Sequence, residues 1–382
     1  MLRKLLVSSC VFLLTACTPE LIPLPITQAA PQVLASPTAP SLAAPTVAAP
    51  NLDTIHMLDE TNGWGINDTA VLRTIDGGKT WHNVSPSGEN ALGYAVDSDF
   101  LDLDHAWILV PDSNNMLAGS LYQTTDGGTN WTKSAVPFGG GDLHFLSANQ
   151  GWMMASLGAG AGSMGVGVFR TTDGGATWTQ TYVNDPNQPG AGDSLPLGGL
   201  KDGLAATDMR NAWIGGVTYT PGVIYLYQTQ DAGHTWALSP LKIPDGYDQA
   251  EFETTGPIFA SPTIAYLPVH VSSQNGVMLA IYVSRDGGAS WLLTPTLIPM
   301  GGSFDVVSSK IAVAWNGTNF YLTNDTAQTW SIVPPDVKFS DNFSGLDFVT
   351  AQVGYALTND GAGGFGLYVT TDGAATWNSL GR

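Results

Sequence analysis

The sequence predicts an all-β protein, a seven-bladed β-propeller of four-stranded antiparallel blades preceded by a signal peptide and a disordered, proline-rich tether. Three observations lead to this fold. A short motif occurs seven times at nearly regular spacing, as in repeat architectures. The chain is rich in Gly (45) and Trp (12) but has only 12% charged residues, a composition typical of turn-rich β proteins. The first 50 residues lack the motif altogether.

Residues 1–16 have the features of a lipoprotein signal peptide. Arg3 and Lys4 precede a largely apolar run of ten residues, which has signal-peptide length and is too short to span a bilayer. The run ends in Leu-Thr-Ala-Cys, which resembles a bacterial lipobox with Cys17 as the lipidated residue. The sequence therefore predicts a secreted protein, lipid-anchored through Cys17 to the outer face of a bacterial membrane, in the cell envelope. An ordinary secretory signal with a chance cysteine is the alternative.

Residues 17–50 are expected to form the tether. They contain eight prolines, with Ala, Ser and Thr between them, and such a composition favours extended polyproline II over a packed core. Cleavage before Cys17 leaves it as the only cysteine, so no disulfide can form within the mature chain. The propeller is then expected over residues 51–382.

The repeated motif is Ser/Thr-x-Asp-x-x-x-x-Trp, known as the Asp-box. Asp followed by Gly favours a tight hairpin turn, and the Trp that opens the next strand supplies a large apolar surface between sheets. We therefore expect the carboxylates to bind their own peripheral turns and the tryptophans to be buried. Ala327 and Ala374 replace the turn glycine in repeats six and seven. The seven Asp and Trp pairs are Asp76 and Trp81, Asp126 and Trp131, Asp173 and Trp178, Asp231 and Trp236, Asp286 and Trp291, Asp325 and Trp330, and Asp372 and Trp377.

A second aromatic residue precedes each turn, and we call it the signature aromatic residue. It follows Gly or Ala in most repeats and comes after another short apolar run, so each repeat holds about four short strands, the content of one blade. In repeat six the nearest match, Trp315, is closer to its turn than the others, which leaves its alignment open. The remaining signature residues are Trp64, Trp107, Trp152, Trp213, Tyr266 and Tyr355.

This pattern resembles the Asp-box, or BNR-repeat, propellers of the sialidase-like superfamily. That superfamily includes sialidases, xyloglucan-cleaving hydrolases, sortilin-type receptors and photosystem II stability/assembly factors. The resemblance is greatest to the assembly factors, through Gly63-Trp64 with Arg-Thr-x-Asp-Gly-Gly-x-Thr-Trp at residues 73–81. It implies a non-catalytic propeller that binds a membrane-protein precursor during assembly.

Charge excludes several functions. With 13 Lys and Arg against 32 Asp and Glu, the chain repels nucleic acid, so no nucleic-acid partner is expected. A sialidase resembling its family needs three converging arginines to hold the substrate carboxylate. Arg73, Arg170 and Arg285 lie on strands entering Asp-box turns, where a structural role is expected. Because Arg3 is expected to be removed with the signal peptide, only Arg210 and Arg382 then remain.

Weak candidate catalytic residues lie in the insertion over residues 240–262. Asp248, Glu251 and Glu253 cluster there beside Tyr247, and two carboxylates flanking a sugar bond suffice for glycoside hydrolysis. The alternative is a solvated acidic loop.

Weak candidate calcium ligands precede the second signature residue. Asp97, Asp99 and Asp102 offer hard oxygen ligands, but no Asp-x-Asp-x-Asp-Gly loop is present, and alternating acids also describe the exposed face of a strand. No cofactor is expected, and no histidine pair has zinc-site spacing.

Two functions therefore compete. The first is a lipid-anchored, extracytoplasmic binding or assembly scaffold without catalysis, whose partner is a protein or a glycan at a propeller face. The second is a carbohydrate-active protein, either a glycoside hydrolase or a lectin. Whether two carboxylates face each other across a pocket near the propeller centre distinguishes them.

Overall fold

A computed structural model describes residues 44–48, 50–67, 69–88, 92, 97–299, 302–339, 343–359 and 365–381. The signal peptide, Cys17 and most of the predicted tether lie outside these residues. Within them the protein is all-β and forms seven antiparallel blades in chain order, which confirms the predicted propeller. Four blades are separate four-stranded sheets, the first blade has a fifth strand, and the fourth and fifth blades are joined in one nine-stranded sheet. No helix in this part of the chain is long and apolar enough to cross a membrane.

The strands are numbered in chain order. Blades 1 to 3 comprise β1 (Thr46–Val47), β2 (Thr54–Met57), β3 (Gly63–Ile66), β4 (Val71–Thr74), β5 (Trp81–Asn83), β6 (Asp97–Phe100), β7 (Ala106–Asp112), β8 (Asn115–Thr124), β9 (Thr132–Val136), β10 (Gly141–Phe145), β11 (Gly151–Gly160), β12 (Ser163–Thr171) and β13 (Thr179–Val183). Blades 4 and 5 comprise β14 (Leu200–Ala206), β15 (Ala212–Thr218), β16 (Leu226–Thr229), β17 (Ala237–Leu238), β18 (Glu251–Thr254), β19 (Ile258–Phe259), β20 (Ala265–Ser273), β21 (Gly276–Ser284) and β22 (Leu292–Pro299). Blades 6 and 7 comprise β23 (Phe304–Val306), β24 (Ala312–Trp315), β25 (Phe320–Thr323), β26 (Ser331–Val333), β27 (Phe343–Phe348), β28 (Gly354–Asn359), β29 (Phe365–Thr370) and β30 (Asn378–Gly381).

Each blade packs on the next through its own hydrophobic cluster. Seven clusters are present in the described residues, one for each pair of neighbouring blades, and the cluster that joins blade 7 to blade 1 closes the ring. In the first cluster, Trp64 of blade 1 stacks on Phe100 of blade 2 with ring centroids 5.2 Å apart. Large aromatic residues fill the space between sheets, as the repeat pattern predicts.

All the signature aromatic residues except Trp213 also hydrogen-bond to the following blade. Trp64 Nε1 donates to the carbonyl oxygen of Asp102 at 2.9 Å, and Trp152 Nε1 donates to that of Asp208 at 3.0 Å. The Tyr355 hydroxyl donates to the carbonyl oxygen of Glu60 at 3.1 Å and so links blade 7 to blade 1. These aromatic residues therefore connect blades by packing and by polar contacts together.

Repeat six has an aliphatic residue at the signature position. Val313 pairs with the first strand of its blade in the register that the signature residues occupy elsewhere, and Trp315 lies two residues further along β24. Trp315 instead packs against Phe320 and Phe343 at the interface with blade 7. The alignment of repeat six, which the sequence left open, is therefore through Val313, two residues before Trp315 and on the same face of the strand.

The Asp-box turns join the third and fourth strands of each blade. Asp76 shows the arrangement: Oδ1 accepts the backbone N–H of Thr80 at 2.9 Å, while Thr74 Oγ1 accepts the N–H of Gly78 at 2.9 Å. All seven carboxylates accept the N–H four residues later at 2.8 to 2.9 Å. Ala327 and Ala374 adopt φ of 58° and 72°, a left-handed conformation that costs a non-glycine residue about 1–2 kcal/mol.

The tryptophans of the Asp-boxes are buried less uniformly than expected. Trp81, Trp236, Trp291 and Trp377 are buried, whereas Trp131, Trp178 and Trp330 are half-buried. The expectation of seven buried residues is wrong for these three, because each of them keeps part of its ring on the protein surface.

The boundary between tether and propeller lies before Pro50. Thr46 and Val47, within the predicted tether, form β1 and pair with the outer edge of blade 1. Asn83 donates its N–H to the carbonyl oxygen of Pro45 at 2.8 Å, and Ala44 packs on the cluster between blades 1 and 2. The proline-rich composition did not indicate this contact, because edge pairing needs only the backbone of a short extended segment.

Candidate functional site: the central channel

The first strands of the blades surround the axis of the ring. β6 contacts β10, β10 contacts β14, and β23 contacts β27. β27 of blade 7 contacts β2 of blade 1, where the ring closes. On each first strand one residue pairs directly with the signature position of the second strand, always eight residues earlier in the chain. We call it the channel position, and its seven occupants are His56, Asp99, His144, Ala205, Ile258, Asp305 and Asp347.

The channel-position aspartates bind the backbone of the next blade. Asp99 Oδ2 accepts the N–H of Phe145. Asp305 Oδ2 accepts that of Phe348, and Asp347 Oδ2 accepts that of Met57, both at 2.5 Å. Each carboxylate therefore links neighbouring first strands at the edge of the channel.

A second layer of aspartates lies two residues earlier on blades 2 and 3. Asp97 Oδ2 accepts the N–H of Leu143 at 2.8 Å, and Asp142 Oδ2 accepts that of Leu204. The channel wall is thus acidic on blades 2, 3, 6 and 7. Blades 2 and 3 carry two layers of aspartates, and blades 6 and 7 carry one.

Removal from water shapes the acidity of these carboxyl groups. Burial raises the pKa of Asp99, Asp142 and Asp305 to about 6. Burial, followed by repulsion from Asp305, raises the pKa of Asp347 to about 7. Burial, followed by repulsion from Asp142, also raises the pKa of Asp97.

Two histidines occupy the channel position on blades 1 and 3. His144 Nε2 lies 3.2 Å from the carbonyl oxygen of Ala206 in blade 4. The His56 ring stacks on Phe100 with centroids 6.4 Å apart. Burial lowers the pKa of both imidazoles, so both are neutral at neutral pH.

Blades 4 and 5 make the opposite wall apolar. A cavity of about 420 Å³ lies against their first strands. Ala205 and Ile258 occupy the channel position there, Leu204 and Phe259 flank them, and His144 lies at the border with blade 3. The centre of the ring therefore has an acidic side and an apolar side.

The weak catalytic candidates lie elsewhere. Glu251 and Glu253 are exposed on the same face of β18, two residues apart, and Asp248 is exposed in the turn before it. β18 pairs with β15 of blade 4 and with β20, so the insertion contributes the start of blade 5's first strand. The two glutamates project side by side from one strand and do not line the cavity described above.

The weak calcium candidates are not brought together as a ligand set. Asp97 and Asp99 bind blade 3, whereas Asp102 accepts the N–H groups of Asp104 and His105 within its own turn at 2.8 Å. Among the described residues no group of three or more His, Cys, Asp or Glu has the arrangement of a metal site.

The arginines on strands entering the turns have structural partners. Arg73 lies over the Trp64 ring at 4.4 Å and donates to the carbonyl oxygen of Leu103 at 2.5 Å. Arg170 lies over Trp152 at 5.1 Å in the same manner. Arg285 lies one residue beyond the end of β21, so its equivalence to the other two was wrong.

Comparison with known proteins supports the fold of this chain but identifies no family for it. No protein-family model and no curated protein is similar in sequence to this chain. Among solved structures, YCF48 bound to a D1 peptide is 16% identical with a TM-score of 0.56, over 88% of this chain and 98% of that one. The GH74 xyloglucanase from Xanthomonas campestris is 14% identical with a TM-score of 0.58, and this chain spans 55% of it. A PL25 ulvan lyase is 10% identical with a TM-score of 0.51, over 88% of this chain and 98% of that one.

The channel position was not recognised in the sequence, although the signal was present. Aligning the repeats on their signature residues and reading eight residues back gives a polar residue in five of seven blades. The acids at Asp99, Asp305 and Asp347 are too far apart in the chain to form a local motif. Only the closed ring brings them to one axis.

Proposed function

We propose that this protein is a lipid-anchored, extracytoplasmic binding propeller that holds an extended polypeptide segment in its central channel. The segment carries basic side chains on one side and apolar side chains on the other. The observation that carries the proposal is the two-sided channel, with carboxyl groups on one wall and the apolar cavity on the other.

The acidic wall selects for cations. Its carboxyl groups lose hydration in the channel, and this loss raises their pKa; a Lys or Arg side chain beside them would restore favourable interactions for the ionised form. The apolar wall favours aliphatic or aromatic side chains, and a cavity of about 420 Å³ is in the range of about 300–1,000 Å³ typical of ligand sites. A polypeptide that alternates the two kinds of side chain fits both walls.

Two further points support a polypeptide ligand. YCF48, which this chain resembles in fold over nearly all of both chains, has been seen with a peptide bound. The net charge of −19 disfavours nucleic acid and other polyanions. The lipobox and Cys17 would hold the site near a membrane, where segments of membrane proteins are exposed during assembly.

Binding of defined peptides to the full chain tests the proposal. A fluorescent peptide alternating Lys and Leu should bind, and one alternating Glu and Leu should not. Asp99→Asn with Asp347→Asn should weaken binding of the Lys-Leu peptide, because both remove charge from the channel. Asp112→Asn with Asp248→Asn removes the same charge from exposed sites and should leave binding unchanged. Equal binding of both peptides, or equal loss in both double variants, would contradict the proposal.

Binding should also depend on pH with a defined sign. Protonation removes the negative charge of Asp99 and Asp305 as the pH falls through about 6. The affinity for the Lys-Leu peptide should therefore decrease from pH 7.5 to about 5, following those pKa values. Anisotropy titrations across this range measure it.

A carbohydrate-active protein is the second candidate. It is favoured by the similarity in fold to the xyloglucanase and the ulvan lyase, and by Glu251 and Glu253 exposed on one strand. A screen of the full chain on chromogenic glycosides and uronate polysaccharides tests it. Turnover abolished by Asp248→Asn, Glu251→Gln or Glu253→Gln, with the β circular-dichroism spectrum intact, would replace the scaffold proposal by this one.

A further inference from the structure

One face of the ring carries the hairpins between second and third strands together with the linkers between blades. Antiparallel strands alternate in direction, so these two kinds of connection lie on the same side, opposite the Asp-box turns. Contacts agree with this arrangement: Gly222 in the blade 4 hairpin donates to the carbonyl oxygen of Ala250 in the next linker at 3.0 Å. Gly199 in the preceding linker donates to that of Gly162 in the blade 3 hairpin at 2.8 Å. We call this side the hairpin face.

Three hairpins extend beyond the others. The second and third strands of blades 2, 3 and 5 are seven to ten residues long, whereas those of blades 1 and 6 have four. At about 3.3 Å per residue the longer hairpins project roughly 10–20 Å further. Lys201, which donates to the carbonyl oxygens of Met164 and Leu197 at 3.0 and 2.9 Å, holds the blade 3 hairpin against its linker.

Large apolar side chains are exposed at the ends of the extended hairpins of blades 2 and 5 and of the shorter hairpin of blade 4. Met116 is 79% exposed and Leu117 47% in blade 2, Tyr219 is 58% exposed in blade 4, and Val277 is 42% exposed in blade 5. The hairpin ends over residues 111–118, 157–165, 217–223 and 272–278 contain a single charged residue, Asp112, in a chain with a net charge of −19. Exposed apolar groups gathered on one side of a protein mark an interaction surface.

The chain reaches the propeller on this same face. β1 runs antiparallel to β5, so Ala44 lies at the hairpin-face end of blade 1. Residues 18–43 separate this point from Cys17, and at about 3.1 Å per residue they span at most roughly 80 Å. A lipid on Cys17 would therefore leave the hairpin face able to reach the membrane that holds the anchor.

We propose that the hairpin face docks on the lipid bilayer, with Met116, Leu117, Tyr219 and Val277 inserted among the headgroups. The proposal rests on the lipid anchor of the proposed function. The lipid on Cys17 and the apolar side chains of the hairpin face are each weak attachments to the same membrane, and together they give stable binding. Exposed acids on the linkers, such as Asp248, repel anionic lipid. The surface therefore fits a zwitterionic bilayer, and the Asp-box face points away from the membrane.

Fluorescence quenching in vesicles tests the docking. The full chain is reconstituted through its own anchor into phosphatidylcholine vesicles containing brominated lipid, with an environment-sensitive dye on Met116→Cys or Val277→Cys. Leu292→Cys and Ile332→Cys are matched controls, because these residues are 65% and 60% exposed but lie on outermost strands of the ring. Dyes at 116 and 277 should lose fluorescence to the brominated lipid, and dyes at 292 and 332 should not.

Two results would overturn the docking. One is that dyes at positions 116 and 277 are not quenched by the brominated lipid in vesicles. If their fluorescence changes only after a membrane protein is added, the hairpin face binds a protein partner instead. The other is equal quenching at all four positions. Incorporation of a fatty-acid analogue at Cys17 reports the anchor separately, so failure of the anchor and failure of the docking are distinguished.

Discussion

Aspartate has two opposite roles in this protein, and its surroundings decide which. In the Asp-box turn of blade 6, hydrogen bonds from the Thr329 side chain and backbone hold the pKa of Asp325 at about 2. At the channel position, burial raises the pKa of Asp99 to about 6. The turn stabilises the ionised carboxylate, whereas the channel favours the protonated acid.

We expect stability to be greatest near pH 4 and to decrease on either side of it. The channel carboxyls have a higher pKa in the folded chain than the ordinary value of about 3.9, so their contribution is complete below that value and is lost as the pH rises through about 6. The Asp-box carboxyls have a lower pKa when folded, so their contribution is lost as the pH falls below about 4 towards 2. Thermal unfolding by circular dichroism from pH 2.5 to pH 8 measures both limbs.

Asparagine variants test whether the channel carboxyls cause the decrease in stability at higher pH. Asp99→Asn and Asp347→Asn should flatten the decrease in Tm between about pH 4 and pH 7 and leave the acid limb in place. A decrease that persists unchanged in both variants would assign it to other groups.

Burial, rather than the hydrogen bond, should set the importance of each Asp-box tryptophan. Trp81 and Trp178 donate Nε1 to the carbonyl oxygen of their own turn glycine at the same distance, 3.1 Å, but Trp81 is buried and Trp178 is half-buried. Trp81→Ala should lower the free energy of unfolding by about 3–5 kcal/mol, the range for a buried aromatic residue, and Trp178→Ala by less. Denaturant unfolding of the two variants makes the comparison. Equal losses would show that the shared hydrogen bond dominates.

At the scale of the strands, blades 1 and 7 share no strand among the described residues. Blade 1 takes all its strands from the N-terminal side and blade 7 all four from the C-terminal side. The closure therefore depends on the cluster between the two blades, on the Tyr355 hydroxyl and on the bond from Met57 to Asp347. Blades 4 and 5, by contrast, are continuous through the pairing of β15 with β18.

We expect the closure between blades 7 and 1 to be the first part of the ring to open. Asp347→Ala leaves the N–H of Met57 without its acceptor, a loss of about 1–3 kcal/mol, and should increase hydrogen exchange in β2 and β27. Asp305→Ala removes a bond of the same length, 2.5 Å, between blades 6 and 7, which are joined covalently by their linker. Exchange should increase less there. Equal increases in the two variants would argue against a weak closure.

At the scale of the whole molecule, the N-terminal signal predicts where the propeller works. Cys17→Ser should abolish labelling by a fatty-acid analogue and release the protein from the membrane or leave it uncleaved. Metabolic labelling of the wild type and the variant in a bacterial host measures this. Equal labelling of the two would contradict the lipobox.

Much of the architecture was readable from the sequence because it is local and repeated. Each Asp-box encodes its own turn, so Asp173 and Trp178 mark a third-to-fourth-strand hairpin whatever the rest of the chain does. Seven such units at a spacing near 47 residues determine an all-β ring. Where a repeat has no aromatic residue at the signature position, as at Val313, the sequence left the alignment open.

Only the tertiary structure decided which residues meet at the axis. Asp347 and Met57 are 290 residues apart, yet they join the last blade to the first. The acidic and apolar walls come from one or two residues on each of six separate strands, and no local pattern links them. The sequence alone determined the repeat, the turns and the aromatic packing between blades, because those depend on residues a few positions apart. Ring closure decided the site, because it brings distant carboxyl groups to one axis and removes them from water together.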